Sequence, residues 1–298
     1  MRTLEFVVPA RCAGRMVKGI LRAELHLSNT LLKSLKWHAG AITLNGESVP
    51  VNALVRAGDV LRVRLDERRA PSAAVQPCPL PLAVLYEDED LLVIDKPANV
   101  AMHPKSGDPS APSMAGALLA HLGPGSTAHF VSRLDKGTSG LFLAAKTGYV
   151  HDRMRAALHT DALQREYRAV AVGRVTPACG EIDLPIGRAE GSIVRRCVRP
   201  DGQPSRTSYE VLACSGGFTL LRLVPHTGRT HQLRVHMSAL GWPLAGDWLY
   251  GTEARALIAR PALHSYALRF RHPISGKEMS FTVPIPQDML DLLKKDGV

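Results

Sequence analysis

Apolar and polar residues follow a helical spacing in two short segments near the start of the chain. The apolar positions predict two short helices with one buried face each, one with Met16, Val17, Ile20 and Leu21 and the other with Leu31, Leu32 and Leu35. Ser28 precedes the second helix and can cap its first turn. Residues 41–49 carry Asn45-Gly46 between two short apolar runs, which predicts a β-hairpin. Residues 58–65 alternate as a strand and complete a small N-terminal unit.

Strand patterns dominate the remainder of the chain, with helices between them. Apolar runs and alternation predict strands on both sides of an acidic turn in residues 85–97, and further strands in residues 141–145, 165–173, 206–212 and 218–224. Helical patterns predict helices in residues 113–122 and 149–158, and a third that begins near Thr230. The two strands of residues 206–224 are expected to pair antiparallel.

Proline marks the boundary between the two parts of the chain. Residues 67–82 contain four prolines, which exclude a helix or a central strand and favour a semi-rigid linker. We therefore predict a first domain over residues 1–68, a linker over residues 69–82 and a second, larger domain over residues 83–298.

Charge indicates the class of partner. The 298 residues carry a formal net charge of +10, and residues 1–70 alone hold 12 Lys and Arg against 6 Asp and Glu. This excess of basic residues favours a polyanion, either nucleic acid or an acidic membrane surface. The lack of a long amphipathic basic helix argues against the membrane. No apolar run approaches the roughly 18 residues of a membrane-spanning helix. Five scattered cysteines without a Cys-x-x-Cys pair predict reduced thiols in a cytoplasmic protein.

Candidate chemistry is concentrated in residues 129–147, with Asp135 at the centre. Asp135 lies two residues after Arg133 and just before the turn sequence Thr138-Ser139-Gly140, which leads into the apolar run of residues 141–145. A carboxylate at such a junction can point into a cleft while the strand fixes its backbone. The alternative is that Asp135 only caps the turn.

A second group of candidates lies in residues 225–251. His226, His231 and His236 are spaced five residues apart, so on a helix successive side chains rotate by about 140° and spread away from a common metal. We therefore expect His231, Gln232 and His236 to form hydrogen bonds around Arg229 and Arg234, and no metal site. Tyr167 lies in the predicted strand of residues 165–173, where a core position is the alternative to a functional one.

Three segments together resemble the RluA-type pseudouridine synthases. They are Arg133-Leu134-Asp135 with Thr138-Ser139-Gly140, the strand Glu166-Tyr167-x-Ala169-x-x-x-Gly173, and Gly228-Arg229-Thr230-His231-Gln232-Leu233-Arg234-x-His236 followed by Gly246-Asp247. The resemblance covers about residues 82–286. The helix-helix-hairpin order ahead of it resembles the S4-like RNA-binding domain, although Ser28-Asn29 replaces the usual Ser-Arg pair, which predicts weaker RNA binding.

The resemblance implies an α+β fold with a mixed, largely antiparallel bent sheet, preceded by the small S4-like domain. The implied reaction is the isomerisation of uridine in RNA to pseudouridine, which requires no cofactor. Asp135 becomes the catalytic carboxylate, which attacks C1′ of the sugar or C6 of the base, or abstracts a sugar proton. Arg234 is implied to hold Asp135, and Tyr167 to stack on the base and assist proton removal from C5.

The expected partner is RNA, with ribosomal RNA favoured over transfer RNA, and the expected oligomeric state is a monomer without metal. Candidate substrate-binding residues are Arg133, Arg229, Lys96, which ends a predicted strand, His103, which lies in a loop rich in Gly, Pro and Ser, and Lys33 and Lys36 of the N-terminal unit. Arg133 can fill the space that the target uridine leaves or hold a phosphate. The alternative function is a catalytically inactive RNA-binding or ribosome-assembly factor on the same scaffold.

Overall fold

The computed structural model describes residues 2–35, 38–65, 75–127, 129–158, 160, 162–215, 217–251 and 257–294. The N-terminal unit contains, in chain order, β1 (Arg2–Val7), a 3-10 helix (Ala10–Cys12), α1 (Val17–Ala23), α2 (Asn29–Leu35), β2 (Ile42–Leu44), β3 (Glu47–Ser48) and β4 (Val60–Leu65). Its four strands form one sheet in the order β1-β4-β2-β3.

The two predicted helices and the hairpin of the N-terminal unit are confirmed. The Ser28 hydroxyl accepts a hydrogen bond from the Leu31 amide at 3.2 Å and so caps α2. Asn45 and Gly46 both have positive φ, 53° and 90°, as a two-residue hairpin turn requires. Strand β1 was not predicted. It pairs antiparallel with β4 along its whole length, from Arg2 opposite Leu65 to Val7 opposite Val60.

The remaining elements build the larger part of the molecule. In chain order they are β5 (Ala83–Glu87), β6 (Leu91–Lys96), α3 (Met114–Leu122), β7 (His129–Phe130), β8 (Ser139–Ala145), α4 (Gly148–Ala157), β9 (Leu163–Val172), β10 (Cys179–Asp183), β11 (Ile186–Arg188), β12 (Arg196–Val198), β13 (Arg206–Ser215), β14 (Phe218–Pro225), α5 (Gln232–Ala239), β15 (Leu263–Arg271), β16 (Glu278–Thr282) and α6 (Gln287–Lys294). Strands β11 and β12 pair with each other in a separate hairpin.

The other strands form one mixed, largely antiparallel sheet, as the fold prediction required. Its main path is β10-β13-β14-β9-β15-β8-β6-β5, with β16 paired to β15 and β7 to β8. Strands β8 and β15 run parallel, through Ser139 opposite His264 and Gly140 opposite Ser265. Gly140 has φ 102°, and a Cβ at this position would collide with the backbone carbonyl of Ser265. Glycine therefore permits this close approach of β8 and β15.

Both faces of the sheet centre are covered. Strand β8 is buried at every position, and its alternate side chains enter two different cores. Leu141 and Leu143 belong to a core that includes the N-terminal unit and Val150 of α4. Phe142 and Ala144 belong to a core with Leu118 of α3 and Leu233 of α5. A strand covered on both faces reads as a continuous apolar run, which explains its sequence.

The N-terminal unit therefore packs on the side of the sheet opposite α3 and α5. An ion pair also joins it to the larger part, because Arg2 Nε lies 2.7 Å from Asp90 Oδ1 and Arg2 Nη2 lies 3.1 Å from Glu89 Oε2. Both carboxylates belong to the turn between β5 and β6. The division of the chain into three regions remains a prediction.

The predicted linker falls partly outside the described residues, which omit residues 66–74. From residue 75 onward it lies against the larger part of the protein. The Gln76 amide donates to the Pro109 carbonyl at 3.0 Å, and the Cys78 amide donates to the Gly116 carbonyl at 3.1 Å. Of the helices in the described ranges, none has the length and apolar content to cross a membrane.

Candidate active site

A cleft of about 860 Å³ opens on the face of the sheet that carries α5. Its walls come from the loop before β8, from α4, from β9 and from the segment that joins β14 to α5. Six arginines line it, namely Arg133, Arg155, Arg165, Arg196, Arg229 and Arg234. Asp135 is the one carboxylate among the cleft-lining residues that the structure describes. The cleft is therefore strongly positive and suited to a polyanion.

Asp135 lies in the turn that enters β8, where the sequence pattern placed it. Its backbone carbonyl accepts a hydrogen bond from the Thr138 amide at 3.1 Å. Ser139 is the first residue of β8, and its hydroxyl forms a hydrogen bond of 2.9 Å with Nδ1 of His264 on β15. The turn is thus tied to both strands of the parallel pair. The Asp135 side chain is 27% exposed and reaches the cleft.

Arg234 of α5 holds this carboxylate across 99 sequence positions. Its Nη1 donates to Asp135 Oδ2 at 3.3 Å, while its Nε and Nη2 donate to the two carboxylate oxygens of Asp247 at 2.8 and 2.7 Å. The Arg234 and Asp247 side chains are 6% and 0% exposed. Because Asp247 accepts two hydrogen bonds in a fork, it fixes the plane of the guanidinium that faces Asp135.

Tyr250 and His231 complete the surroundings of Asp135. The Arg234 guanidinium carbon lies 5.0 Å from the centre of the Tyr250 ring, and the Tyr250 hydroxyl hydrogen-bonds with His231 Nδ1 at 2.8 Å. His231 Nε2 lies 3.9 Å from Asp135 Oδ1. Burial lowers the pKa of His231, and the nearby Arg234 acts in the same direction, although the charge of Asp135 opposes them.

The helix predicted to begin near Thr230 begins two residues later, at Gln232. His231 adopts a left-handed conformation, with φ 59° and ψ 17°, and so ends the preceding loop. The Gln232 side chain stabilises this loop, because its oxygen accepts from the Thr227 hydroxyl at 2.7 Å and from the Arg229 amide at 3.0 Å.

Tyr167 of β9 lies in the wall of the cleft and is only 6% exposed. Burial raises the pKa of its phenol, and the charge of Asp135 acts in the same direction, although Arg165 opposes them. Tyr167 thus belongs both to the core and to the cleft. The structure brings Asp135, Tyr167 and Arg234 together, as the family resemblance implied.

Arg133, Arg229 and His103 also line the cleft. Arg229 Nε donates to the Pro204 carbonyl at 3.2 Å. The His103 ring packs edge-on against Phe130, with a centroid distance of 5.2 Å. Burial lowers the pKa of His103, and the charge of Arg133 adds to the effect. Lys33 lies exposed on α2 in the N-terminal unit and does not line the cleft, and Lys36 lies outside the described residues.

The expected contact of Lys96 with substrate requires correction. Lys96 is 0% exposed, and its Nζ donates to the backbone carbonyls of Pro97, Val100 and Lys136 at 2.8, 2.9 and 3.1 Å. These three bonds use all three ammonium hydrogens. Because Lys136 follows Asp135, Lys96 supports the turn that carries Asp135 from within. Burial, with the nearby Arg260, lowers the pKa of Lys96 to about 8.

The three histidines spaced five residues apart each have their own partners. His226 contacts the Ser208 hydroxyl at 2.7 Å, and His236 contacts the Thr207 hydroxyl and the Leu184 carbonyl, both at 2.9 Å. His231 in turn contacts Tyr250, so the three histidines have separate hydrogen-bond partners. Only His236 lies on α5, and His226 and His231 precede it.

A different group could hold a metal by distance alone. Ligand atoms of Asp88, Asp90 and His272 lie within 4.8 Å of one another, away from the cleft. However, His272 Nδ1 accepts from the amides of Ile274 and Ser275 at 3.2 and 3.1 Å, so its Nε2 carries the proton and donates to Asp88 at 3.0 Å. These hydrogen bonds therefore join His272 to the turn between β5 and β6.

Sequence reasoning missed several residues of the site. Arg155, Arg165 and Arg196 come from α4, β9 and β12 and converge only after folding. Asp247 was noted within a motif but without its role as the partner of Arg234. The sequence feature that could have marked Asp247 is the glycine before it. Gly246 has φ 69° and packs against backbone atoms of Arg260, so a side chain at this position would collide with them.

Comparison with known proteins identifies the family. The sequence signature of the RNA pseudouridylate synthase family matches residues 90–239. The chain is 42% identical over 277 residues to the uncharacterized RNA pseudouridine synthase YjbO of Bacillus subtilis (strain 168), covering 92% of this chain and 97% of that protein. It is 40% identical over 278 residues to ribosomal large subunit pseudouridine synthase D of Vibrio vulnificus (strain CMCP6), covering 87% and 84%.

The fold has a similar counterpart among solved structures. Human RNA pseudouridylate synthase domain containing 1 superposes with a TM-score of 0.57 at 26% identity, over 68% of this chain and 83% of that one. The chain therefore belongs to the RNA pseudouridylate synthase family. The catalytic part of the predicted RluA-type resemblance is confirmed, and with it the class of activity, an isomerase that forms pseudouridine in RNA.

Proposed function

We propose that this protein isomerises specific uridines of ribosomal RNA to pseudouridine, with Asp135 as the catalytic carboxylate. The observation that carries the proposal is the pairing of Asp135 with the buried Arg234 inside a cleft that six arginines line. A uridine in structured RNA must leave its stack to reach a carboxylate in such a cleft. The arginines supply the charge that draws the phosphate backbone to it.

Ribosomal RNA is the proposed substrate because of the relatives. Proteins that are 39–40% identical to this chain are named ribosomal large subunit pseudouridine synthase D. The high net charge of +10 is consistent with a structured RNA partner. We further propose that the protein acts in the cytoplasm as a monomer.

The reaction breaks the N1 glycosidic bond, rotates the uracil and joins its C5 to the ribose, while the C5 proton is released. Asp135 Oδ2 faces Arg234, whereas Oδ1 lies 3.9 Å from His231 Nε2, longer than a hydrogen bond. We assign Oδ1 as the reacting oxygen, whether it attacks C1′ or C6 or takes a sugar proton. Arg234 fixes the orientation of the carboxylate through its hydrogen bond to Oδ2.

Tyr167 is proposed to stack on the target base. Its raised pKa keeps the phenol protonated at neutral pH, which favours stacking over direct proton removal from C5. A base-aromatic contact of this kind contributes about 1–3 kcal/mol. Arg133, Arg229 and His103 are proposed to contact the RNA at the edges of the cleft, where the structure places their side chains.

The N-terminal unit is proposed to be an S4-like RNA-binding domain, within the division 1–68, 69–82 and 83–298. Its order of two helices followed by a hairpin supports the proposal, as does its excess of basic residues. Lys33 and Lys36 are the proposed RNA contacts of this domain.

Tritium release tests the catalytic proposal directly. RNA transcribed with uridine labelled with tritium at C5 loses the label when C5 bonds to the ribose. We expect Asp135→Asn to abolish release while it retains RNA binding in a filter assay. Asp291→Asn is the matched control, because this carboxylate lies half-exposed on α6, and it should release tritium at the wild-type rate. Release by Asp135→Asn would overturn the assignment of Asp135, whereas absence of release by the wild type would favour the alternative of an inactive RNA-binding factor.

A further inference from the structure

Arg165 is a buried arginine without a negative partner. Among the described residues, three arginines are more than nine-tenths buried: Arg165 at 8% exposure, Arg234 at 5% and Arg260 at 3%. Arg234 forms two hydrogen bonds with Asp247, and Arg260 forms two with Asp288. No carboxylate in the described ranges lies within ion-pair distance of Arg165. Buried arginines are almost always paired, so a counter-charge is missing here.

The hydrogen bonds of Arg165 leave part of its guanidinium free. Its Nη2 donates to the carbonyls of Pro225 and Thr227 at 3.4 and 3.2 Å, which carry no net charge. Its Nε is buried and has no hydrogen-bond partner in the part of the chain that the structure describes. An unpaired buried donor and a buried charge without a counter-charge are both unfavourable. The free protein therefore bears a cost that a bound anion would remove.

Arg165 is also placed beside the proposed base-binding residue. It lines the cleft, and on β9 it lies two residues before Tyr167, on the same buried face. Successive positions on one face of a strand are separated by about 6.6 Å, which is on the order of the distance from a nucleobase to the phosphate of its own nucleotide. Gly228 lies beside Nη1, and a Cβ there would stand 3.6 Å from that atom. The absence of a side chain keeps this end of the guanidinium open.

We propose that Arg165 binds a phosphate of the same nucleotide whose base lies against Tyr167. The inference rests on the proposed function, because it assumes that a uridine enters the cleft. Arginine suits a phosphate ligand, since its guanidinium is always charged and donates in fixed directions. The phosphate supplies the counter-charge that Arg165 lacks and accepts a hydrogen bond from Nη1, the end of the guanidinium beside Gly228. Base and phosphate are then held at two fixed points on one strand, which orients the ribose between them towards Asp135.

The test compares two small ligands, uridine 3′,5′-bisphosphate and uridine, by equilibrium dialysis with the full-length protein. In the wild type, we expect the bisphosphate to bind at least tenfold more tightly than uridine. In Arg165→Met, the bisphosphate should lose roughly tenfold to a hundredfold in affinity, as for a lost hydrogen bond to a charged group, while uridine binding is unchanged. Arg271→Met is the matched control, because Arg271 is 67% exposed and pairs with Glu278 outside the cleft.

Equal loss of both ligands in Arg165→Met, or no loss of either, would overturn the proposal. If Arg165→Met does not fold, thermal unfolding of the wild type tests the proposal instead. Uridine 3′,5′-bisphosphate should raise the thermal midpoint more than uridine plus inorganic phosphate at the same concentrations. An equal rise would contradict the inference. This binding measurement does not require turnover. Failure of the proposed function appears separately, as absence of tritium release by the wild-type protein.

Discussion

The buried pair of Arg234 and Asp247 is expected to support both stability and activity, and Asp247→Asn tests this. The two side chains are 6% and 0% exposed, so water does not screen their interaction. Removing one partner of a buried ion pair costs about 3–5 kcal/mol. Asparagine retains one acceptor oxygen, which can keep one of the two Arg234 hydrogen bonds. We therefore expect a loss of about 2–4 kcal/mol in the free energy of unfolding.

The matched control is Asp288→Asn. Asp288 also accepts two hydrogen bonds from a buried arginine, Arg260, at 2.7 and 2.8 Å, but its own side chain is 45% exposed. Solvent therefore screens this pair, and its loss should cost about 1 kcal/mol or less. The two variants change the same chemical group in the same hydrogen-bonding geometry. The difference between their losses in the free energy of unfolding therefore reports the effect of burying Asp247.

Urea unfolding followed by circular dichroism measures the stability of both variants, and tritium release measures their activity. Since globular proteins have stabilities of about 5–15 kcal/mol, Asp247→Asn should still fold in the absence of urea. We expect it to release tritium at least tenfold more slowly, because Arg234 no longer faces Asp135 in a fixed plane, whereas Asp288→Asn remains active. Equal urea midpoints for the two variants, or full activity of Asp247→Asn, would refute the reasoning.

Two further predictions concern residues close to the catalytic turn. Burial lowers the pKa of Lys96 to about 8 from 10.5, so as pH rises the folded protein loses this proton before the unfolded chain does. The free energy of unfolding of the wild type should therefore rise between about pH 8 and 10.5 relative to that of Lys96→Met. Urea midpoints measure this difference, and equal changes in both proteins across the range would disprove the prediction. Tyr250→Phe keeps the ring over Arg234 but removes the hydroxyl that contacts His231 and the Arg196 amide. We expect a loss of roughly threefold to tenfold in the rate of tritium release with unchanged RNA affinity, and an unchanged rate would count against a role for this contact.

The local sequence predicted many of the elements and the position of Asp135 in the turn before β8, because these depend on short-range patterns. Asn45-Gly46 specifies its turn through positive φ, and Ser28 specifies the start of α2 through its hydroxyl. The apolar run of residues 141–145 predicted a buried strand. Asp135 could be located because turn residues and this strand surround it. Strand β1 was missed, since its pairing with β4 depends on residues about sixty positions away.

Long-range contacts were not predictable from the residues alone. The approach of Arg234 to Asp135 came from the family resemblance, since no periodicity links positions 99 residues apart. Lys96, at the end of a predicted strand, was expected to contact substrate, whereas three backbone carbonyls accept hydrogen bonds from its buried ammonium. The convergence of arginines from α4, β9 and β12 likewise depends on the tertiary fold.

The central claim is that Asp135 converts uridine to pseudouridine in ribosomal RNA. Mapping pseudouridine across total RNA, in cells that lack the gene and carry either the wild type or Asp135→Asn, tests it most directly. We expect at least one uridine of large-subunit ribosomal RNA to be modified only with the wild-type protein. Modification of the same site with Asp135→Asn, or no change in ribosomal RNA between the two strains, would contradict it.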